Sequence, residues 1–359
     1  MDIVVIGAGY AGTVAANRLA KKAPEARITV VNPRPDFVER VRLHEQLAGT
    51  GTAATPLADM LAPAIATRVA GADKIGDGTV TLDDGTAVDF DHLFVAVGST
   101  ATPLPGAIPV GTWEGAEQAR AALAALPADR AVTVIGGGLT GIETAAEIAE
   151  ARPDLRVRLV GAEIGASLSA GGQRRVRRGL DRLGVEIRTD AVERIEHGTV
   201  RLRSGGALAS DLTLWAVVSG VPDLAARSGL AVDADGRALV DPYLRSVTDP
   251  RVFVIGDCAA VPGARMACAT AAPQGAHAVD TLVRMIEGRE PRPYSMGYSG
   301  QALSVGRRDA VVQSSRRDDS PLPVSFAGRG AAFTKERIVR YAAWSARTGN
   351  SVWLSGPKR

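Results

Sequence analysis

The sequence predicts an α/β fold in which one βαβ unit occurs twice, followed by a smaller α+β unit at the C-terminal end. Three observations predict it. Clusters of the form GxGxxG stand between an apolar strand and a helix at two places, Gly7-Ala8-Gly9-Tyr10-Ala11-Gly12 and Gly136-Gly137-Gly138-Leu139-Thr140-Gly141. A second apolar strand ends twenty-five positions beyond the first glycine of each cluster, at Asn32 and at Gly161. Forty glycines in 359 residues, against the usual ~7%, supply the tight turns that such units need.

The elements follow in order. The chain opens on an apolar strand over 2–6, then the first cluster, a helix over 13–22 and a strand over 28–31. Gly7 allows the tight turn, Gly9 lets a diphosphate approach the backbone, and Gly12 lets helix and strand pack closely. The helix N-terminus offers an anion free N–H groups and the positive end of a dipole. The strand over 131–135, the second cluster, a helix from Ile142 to about Ala151 and the strand over 157–160 repeat this arrangement. Downstream, Val80 leads to Asp91 and a strand over 93–96, as Val200 leads to Asp211 and a strand over 212–216, eleven positions from Val to Asp in each. Each copy thus continues through a small hairpin layer and a strand returning to its sheet. The expectation is two Rossmann-like dinucleotide-binding domains, 1–104 with 235–288 and 105–234, plus a small C-terminal domain over 289–359. In the last, a hairpin over 298–313 turns at 306–309, and a helix over 334–347 carries the apolar stripe Ile338, Tyr341, Ala342 and Trp344 beside Lys335, Arg337 and Arg340.

Composition narrows the function. With 46% hydrophobic and 23% charged residues, the chain buries sizeable cores and is neither fibrous nor disordered. Two cysteines exclude a disulfide scaffold and a four-cysteine metal site, no metal is expected, and a reducing cytoplasm is the natural setting. No apolar run approaches the ~18 residues of a membrane span, and no signal peptide is expected. The net charge of +3 is uneven: from Arg289 onward thirteen Lys or Arg face five Asp or Glu, a balance of +8. Such a tail is read as a solvated face, with anionic lipid or an acidic partner as the other uses; nucleic acid is not expected.

These features resemble the two-dinucleotide-binding-domain flavoproteins, the pyridine nucleotide-disulfide oxidoreductase superfamily. Arg251-Val252-Phe253-Val254-Ile255-Gly256-Asp257-Cys258-Ala259 looks like its strand ending in Gly-Asp, and the resemblance implies that Asp257 binds the ribitol of FAD. Leu93-Phe94-Val95-Ala96-Val97-Gly98-Ser99 looks like its Ala-Thr-Gly strand, with Val97 in place of Thr. The first domain is thereby implied to hold FAD through Gly7, Gly9, Ala11, Gly12, Asn32, Val97, Gly98, Asp257, Gln274 and Gly275, with Arg40 and Arg42 at its phosphates or its reduced charge and His44 nearby. Asn32 stands where an acidic residue would grip the ribose, and an amide lacks the charge assistance of a carboxylate. The second domain is implied to hold NAD(P)H through Gly136, Gly138, Leu139, Thr140, Gly141, Gly161 and Gly220. Neither the acid of an NAD site nor the arginine of an NADP site occupies position 161; Glu163, two residues on, leans the reading to NADH, and Arg158 has no assigned part. The resemblance places Glu143 beside nicotinamide and flavin, to assist hydride or proton delivery. Glu147, one turn on, reads as a solvated helix face.

The stretch 37–46, where disulfide reductases of the superfamily carry CxxxxC, contains no cysteine. Thiol relay to a disulfide is therefore excluded, and Cys258 and Cys268 read as buried small residues. The closest resemblance is to type II NADH dehydrogenases and apoptosis-inducing-factor-2-like quinone reductases. Ala269-Thr270-Ala271-Ala272-Pro273-Gln274-Gly275 looks like their AQxAxQ quinone segment, with Thr270 for the first Gln and Gln274 retained, and a helix is expected to begin near Pro273. An FAD-dependent NAD(P)H dehydrogenase reducing a quinone-like acceptor follows. A ferredoxin or rubredoxin reductase and an NADH-responsive flavoprotein acting by partner binding are the alternatives. The C-terminal helix is expected to pack on the flavin domain or form a homodimer contact in preference to touching the inner face of the cell membrane.

Overall fold

The twenty-five-residue spacing is the register of two sheets. The computed structural model describes residues 1–357. It begins with β1 (Asp2–Ile6), α1 (Tyr10–Lys22) and β2 (Arg27–Asn32), the strands parallel with Asp2 opposite Arg27. A short helix α2 (Leu43–Ala48), then β3 (Ala66–Val69), a three-stranded hairpin layer, and β4 (His92–Val95) follow. The second unit comprises β5 (Ile108–Pro109), β6 (Ala131–Ile135), α3 (Leu139–Ala151), β7 (Arg156–Gly161), α4 (Ala170–Arg182), β8 (Glu186–Thr189), a second three-stranded layer and β9 (Leu212–Trp215). Ala131 lies opposite Arg156, the same offset as in the first unit. The chain then returns through β10 (Val252–Val254) and α5 (Cys268–Ile286). The last unit is β11 (Gly300–Ser304), β12 (Ala310–Ser315), β13 (Pro321–Ala327) and α6 (Arg329–Thr348).

The two parallel sheets have the same arrangement, β10-β4-β1-β2-β3 and β5-β9-β6-β7-β8. Their central strands are buried on both faces, which is why β1 and β6 read as nearly continuous apolar runs, broken in β6 only by Thr133, rather than alternating ones. In the first core the rings of Phe94 and Phe253 stack at 4.9 Å across the β4–β10 pair. Helix α5 crosses α1 so closely that a Cβ on Gly275 would lie 2.4 Å from the Ala11 carbonyl oxygen. Gly275 and Ala11 therefore hold the helix pair together.

Three sequence expectations change. Helix α5 starts at Cys268, not near Pro273, because the Ala267 carbonyl accepts from the backbone of Thr270 and Ala271 and from the Thr270 hydroxyl. Pro273 thus lies inside a helix already under way, where it lacks the N–H for one intrahelical bond. Strand β13 escaped the sequence reading because Pro321 and Pro323 interrupt its pattern; as an edge strand it tolerates them. Finally, the chain crosses between the two sheets where Thr100 and Gly220 bridge. Leu224, Ala225 and Leu230 pack in the first core, so 221–234 sits with the first sheet although the sequence division counted it with the second.

The C-terminal unit joins both cores. Leu303, Val305 and Val311 enter the second core and Ala346 the first. Helix α6 does pack on α1, with the Asn17 side chain donating to the Ala346 carbonyl at 2.9 Å. The helix buries Ala331, Val339 and Ala346, and leaves Ile338, Tyr341 and Trp344 of the expected stripe between 42% and 48% exposed.

Candidate active site

Both glycine loops have the geometry that their spacing requires. A Cβ on Gly12 would fall 1.9 Å from the Gly7 carbonyl oxygen, and one on Gly141 would fall 1.8 Å from that of Gly136, so the third glycine of each loop is fixed by packing. Gly7 and Gly136 take positive φ of 93° and 129°, open to glycine alone at low cost. Gly9 and Gly138, by contrast, face open space, with nothing within 4 Å of an added Cβ. Each is the N-cap of its helix, no side chain caps either helix, and neither first turn holds an acid. Backbone N–H groups at both helix starts are thereby left for an anion. Ala11 is buried, while Leu139 is half-buried and Thr140 exposed at the rim.

The loops differ at the end of the second strand. Asn32 Oδ1 accepts the Ala8 N–H at 2.9 Å and its Nδ2 donates to the Arg34 carbonyl at 2.7 Å. Its amide braces the loop from beneath at both ends. At Gly161 a Cβ would lie 2.6 Å from the Gly137 nitrogen, so no side chain fits there, acidic or otherwise.

Asp257 sits on a 3-10 turn after β10. Its Oδ2 accepts the Ser99 hydroxyl at 2.6 Å and lies 3.8 Å from Arg40 Nη1. Arg40 is held in place by the carbonyls of Gly111 and Ser99, and a Cβ added at the positive-φ Gly98 would lie 3.6 Å from its Nη1; Val97 packs against the first core. Asp257, Arg40, Gly98 and Ser99 form one polar corner beside the first glycine loop. Gln274, expected to face a quinone, instead is 1% exposed and accepts the Gly256 N–H at 2.7 Å. It holds the turn that presents Asp257.

The third group gathers where all three units meet. Glu143 on α3 is buried, and its Oε1 takes Lys335 Nζ of α6 at 2.8 Å and the Ser304 N–H at 3.0 Å. The Ser304 hydroxyl lies 3.3 Å from both Glu143 Oε1 and His44 Nε2. Burial pushes the Glu143 carboxyl up, but the Lys335 ammonium, His44 and the Ser304 N–H outweigh it and hold its pKa below the ordinary value. Burial holds His44 down despite the Glu143 charge, so the imidazole is neutral near pH 7. A buried carboxylate, an ammonium, a hydroxyl and a neutral imidazole in mutual contact can orient a substrate carbonyl and move a proton.

Sequence reasoning singled out Glu143 and His44, which meet here through Ser304, but missed Ser304 and Lys335. Lys335 is one of only five lysines among forty-two basic residues, a scarcity that was the available signal. Arg42 goes elsewhere than to a phosphate: it pairs with Glu39, Glu45 and Glu336. Glu147 is no solvated face but 1% exposed, because α2 and the β11–β12 turn cover that side of α3. Cys258 is buried, whereas Cys268 is only partly so. Gly220 lies at the crossing of the two linkers with open space around its α-carbon. Among the described residues no group of three or more His, Cys, Asp or Glu is placed to hold a metal ion, and no helix is long and apolar enough to cross a membrane.

Residues 1–276 match the family model described as pyridine nucleotide-disulphide oxidoreductase. An NADH dehydrogenase-like protein of Mycobacterium tuberculosis is 34% identical over 293 residues, 72% of this chain and 72% of that one. The type II NADH:quinone oxidoreductase NdhA of the same species is 26% identical over 374 residues, 87% of this chain and 78% of that one. The structure of NDH2 from Plasmodium falciparum in complex with NADH superimposes with a TM-score of 0.80 at 14% identity, over 97% of this chain and 96% of that one, and shows the shared fold.

Proposed function

For a chain that belongs to the pyridine nucleotide-disulphide oxidoreductase family, we propose that the Glu143–Lys335–His44–Ser304 cluster serves the reduction of a quinone-like acceptor. The chain is an FAD-dependent NAD(P)H dehydrogenase. Held in the first domain, FAD would supply two-electron chemistry between NAD(P)H and the acceptor.

On this reading residues 1–104 and 235–288 hold FAD, with 221–234 packed beside them, and 105–220 holds the nicotinamide nucleotide. The open backbone at Gly9 and at Gly138 receives the two diphosphates, each at an uncapped helix N-terminus. Asp257 offers Oδ1 to a ribitol hydroxyl, its Oδ2 being taken by Ser99. Glu143 stays ionised and orients Lys335, whose ammonium stabilises negative charge on an acceptor oxygen; Ser304 and His44 are placed to move a proton to it. The nucleotide is NADH by preference, since Glu163 lies two residues beyond Gly161 with no arginine between them, and Arg188, opposite Val160 on the neighbouring strand, is paired with Glu186.

The observation that carries this reading is the absence of a dithiol from the site: Cys258 and Cys268 are both free, and the Cys258 thiol, pushed up to about 11 by burial, is unreactive. Electrons must then pass to the acceptor directly. The exposed Tyr341–Trp344 stack on α6, with Arg337 and Arg340 beside it, supports peripheral contact of the C-terminal unit with the inner face of the cell membrane, where a quinone resides; a homodimer through the same face is the competing use. The test is anaerobic reduction of the flavin-loaded protein by NADH, then mixing with menadione. Rapid bleaching of the flavin absorbance and its prompt recovery on menadione are expected. Absence of flavin, or recovery only with an oxidised iron–sulfur acceptor such as ferredoxin, would refute it.

A further inference from the structure

One turn beyond Glu143 on α3 lies a second buried carboxylate that the reaction above leaves unused. Glu147 Oε1 accepts the Thr50 hydroxyl and lies 3.4 Å from Arg307 Nη1. Its Oε2 has no hydrogen-bond partner among the described residues, in a site where only 1% of the residue is exposed. The same Arg307 nitrogen is 3.0 Å from Glu45 Oε1, and the Arg307 N–H donates to Glu150. Arg42 grips Glu45 from the other side at 3.0 Å. The groups facing Glu147 are therefore Thr50 and Glu45 from α2 and its exit, Arg307 from the β11–β12 turn, and Glu143 and Glu150 on its own helix. Burial beside this excess of acids pushes the Glu147 carboxyl up to about 7, against the pull of Thr50 and Arg307.

Polar atoms lead inward from this place to the reaction cluster. Glu45 Oε1 is 3.9 Å from His44 Nε2, which is 3.3 Å from the Ser304 hydroxyl, itself 3.3 Å from Glu143 Oε1. Outward, the Arg307 side chain is 41% exposed and meets water. The chain of groups thus has a wet end and a dry end.

Reduction of a quinone to a quinol by NAD(P)H consumes one proton beyond the hydride. The nicotinamide C–H bond breaks, its electron pair passes to the acceptor, two O–H bonds form on the quinol, and one of their two protons comes from water. Resting on the quinone-reductase reading, we propose that Glu147 is a proton-holding residue that takes up this proton beside Arg307 and gives it to Glu45, the carboxylate held by the same Arg307 nitrogen, and thence through His44 and Ser304 to the acceptor, Glu143 remaining ionised. The guanidinium of Arg307 keeps its own protons and orients the two carboxylates. The neutral His44 takes the proton on Nε2, 3.9 Å from Glu45 Oε1, and releases it from the same nitrogen to the Ser304 hydroxyl 3.3 Å away, which passes its own proton on. Glu147 is then recharged from solvent. It acts through other groups and touches neither acceptor nor nucleotide.

The test compares the flavin-loaded wild type with Glu147→Gln and Thr50→Val, using menadione, whose reduction takes up protons, and ferricyanide, which takes electrons alone. In Glu147→Gln the ratio of menadione to ferricyanide turnover should fall on the order of tenfold, and the decline of menadione turnover as pH rises through neutrality should disappear. Thr50→Val removes a hydrogen bond that favours the carboxylate, so it should move that decline to higher pH. Infrared difference spectra should show a protonated-carboxyl band that titrates near neutral pH in the wild type and is missing in Glu147→Gln. Superimposable ratios and pH profiles in wild type and Glu147→Gln, or no such band in the wild type, would overturn the proposal. A wild type that turns over ferricyanide and never menadione overturns the quinone reading and this proposal with it, a separate result.

Discussion

Lys335 Nζ lies 2.8 Å from Glu143 Oε1, and this pair ties the last helix of the chain to the helix that opens the second nucleotide site. Both side chains are largely withdrawn from water, so neither ion is stable there without the other.

Removing one partner should therefore cost more than removing both. Lys335→Met leaves a buried uncompensated carboxylate and should destabilise the protein by about 3–5 kcal/mol, while lowering turnover on the order of a hundredfold. Lys335→Met combined with Glu143→Gln should regain most of the stability and none of the turnover. Thermal denaturation and NADH oxidation with menadione read the two effects; a double variant less stable than Lys335→Met would contradict the pairing.

Stability should depend on pH in two opposed ways. Glu147 has its folded pKa raised from 4.5 to about 7. The stability it contributes is complete below about pH 4.5 and is lost as pH rises through about 7, up to about 3 kcal/mol. His44 has its folded pKa lowered from 6.5, so its contribution is complete above about 6.5 and is lost as pH falls through the folded value. Glu147→Gln should raise the melting temperature relative to wild type mainly on the alkaline side, and His44→Gln mainly on the acid side. Parallel melting-temperature curves for wild type and both variants would show that neither group titrates as described.

The glycines of one loop should separate folding from cofactor retention. Gly9→Ala meets nothing within 4 Å, so the protein should fold with little loss of stability and carry less FAD, because the added methyl lies where the diphosphate approaches. Gly12→Ala drives a methyl against the Gly7 carbonyl oxygen at 1.9 Å and should cost more than the ~1–3 kcal/mol of ordinary overpacking. Circular dichroism and the flavin-to-protein absorbance ratio distinguish them. Equal loss of fold in both would place Gly9 in packing rather than binding.

Thiol chemistry should be dispensable. Cys258 Sγ donates to the Val95 carbonyl in the interior, and Cys258→Ala with Cys268→Ser should retain turnover within about threefold, because neither thiol relays electrons. Loss of menadione reduction alone, with flavin content unchanged, would restore a thiol to the mechanism.

If the C-terminal unit docks on lipid, Tyr341→Ser with Trp344→Ser should weaken co-sedimentation with anionic vesicles, and raised salt should weaken it in the wild type. Binding indifferent to both, accompanied by a change in sedimentation coefficient, would assign the stripe to a dimer.

The sequence by itself determined the two nucleotide-binding units, because what specifies them is local. A strand, a glycine turn and a helix recur at fixed spacing, and that spacing reappears as the pairing of Asp2 with Arg27 and of Ala131 with Arg156. The absence of cysteine between Phe37 and Gln46 was equally plain, and it directed the reading away from thiol relay. The tertiary structure alone decided which polar residues face one another. Glu147 read as solvated because periodicity says which side of a helix is polar and not what later covers it; α2 and the β11–β12 turn, from distant parts of the chain, enclose that side. Likewise nothing near Lys335 in the sequence points to Glu143, since the two meet only when α6 packs across the first unit. Gln274 likewise faces the Gly256 N–H, a partner eighteen residues away that its own stretch of sequence does not name.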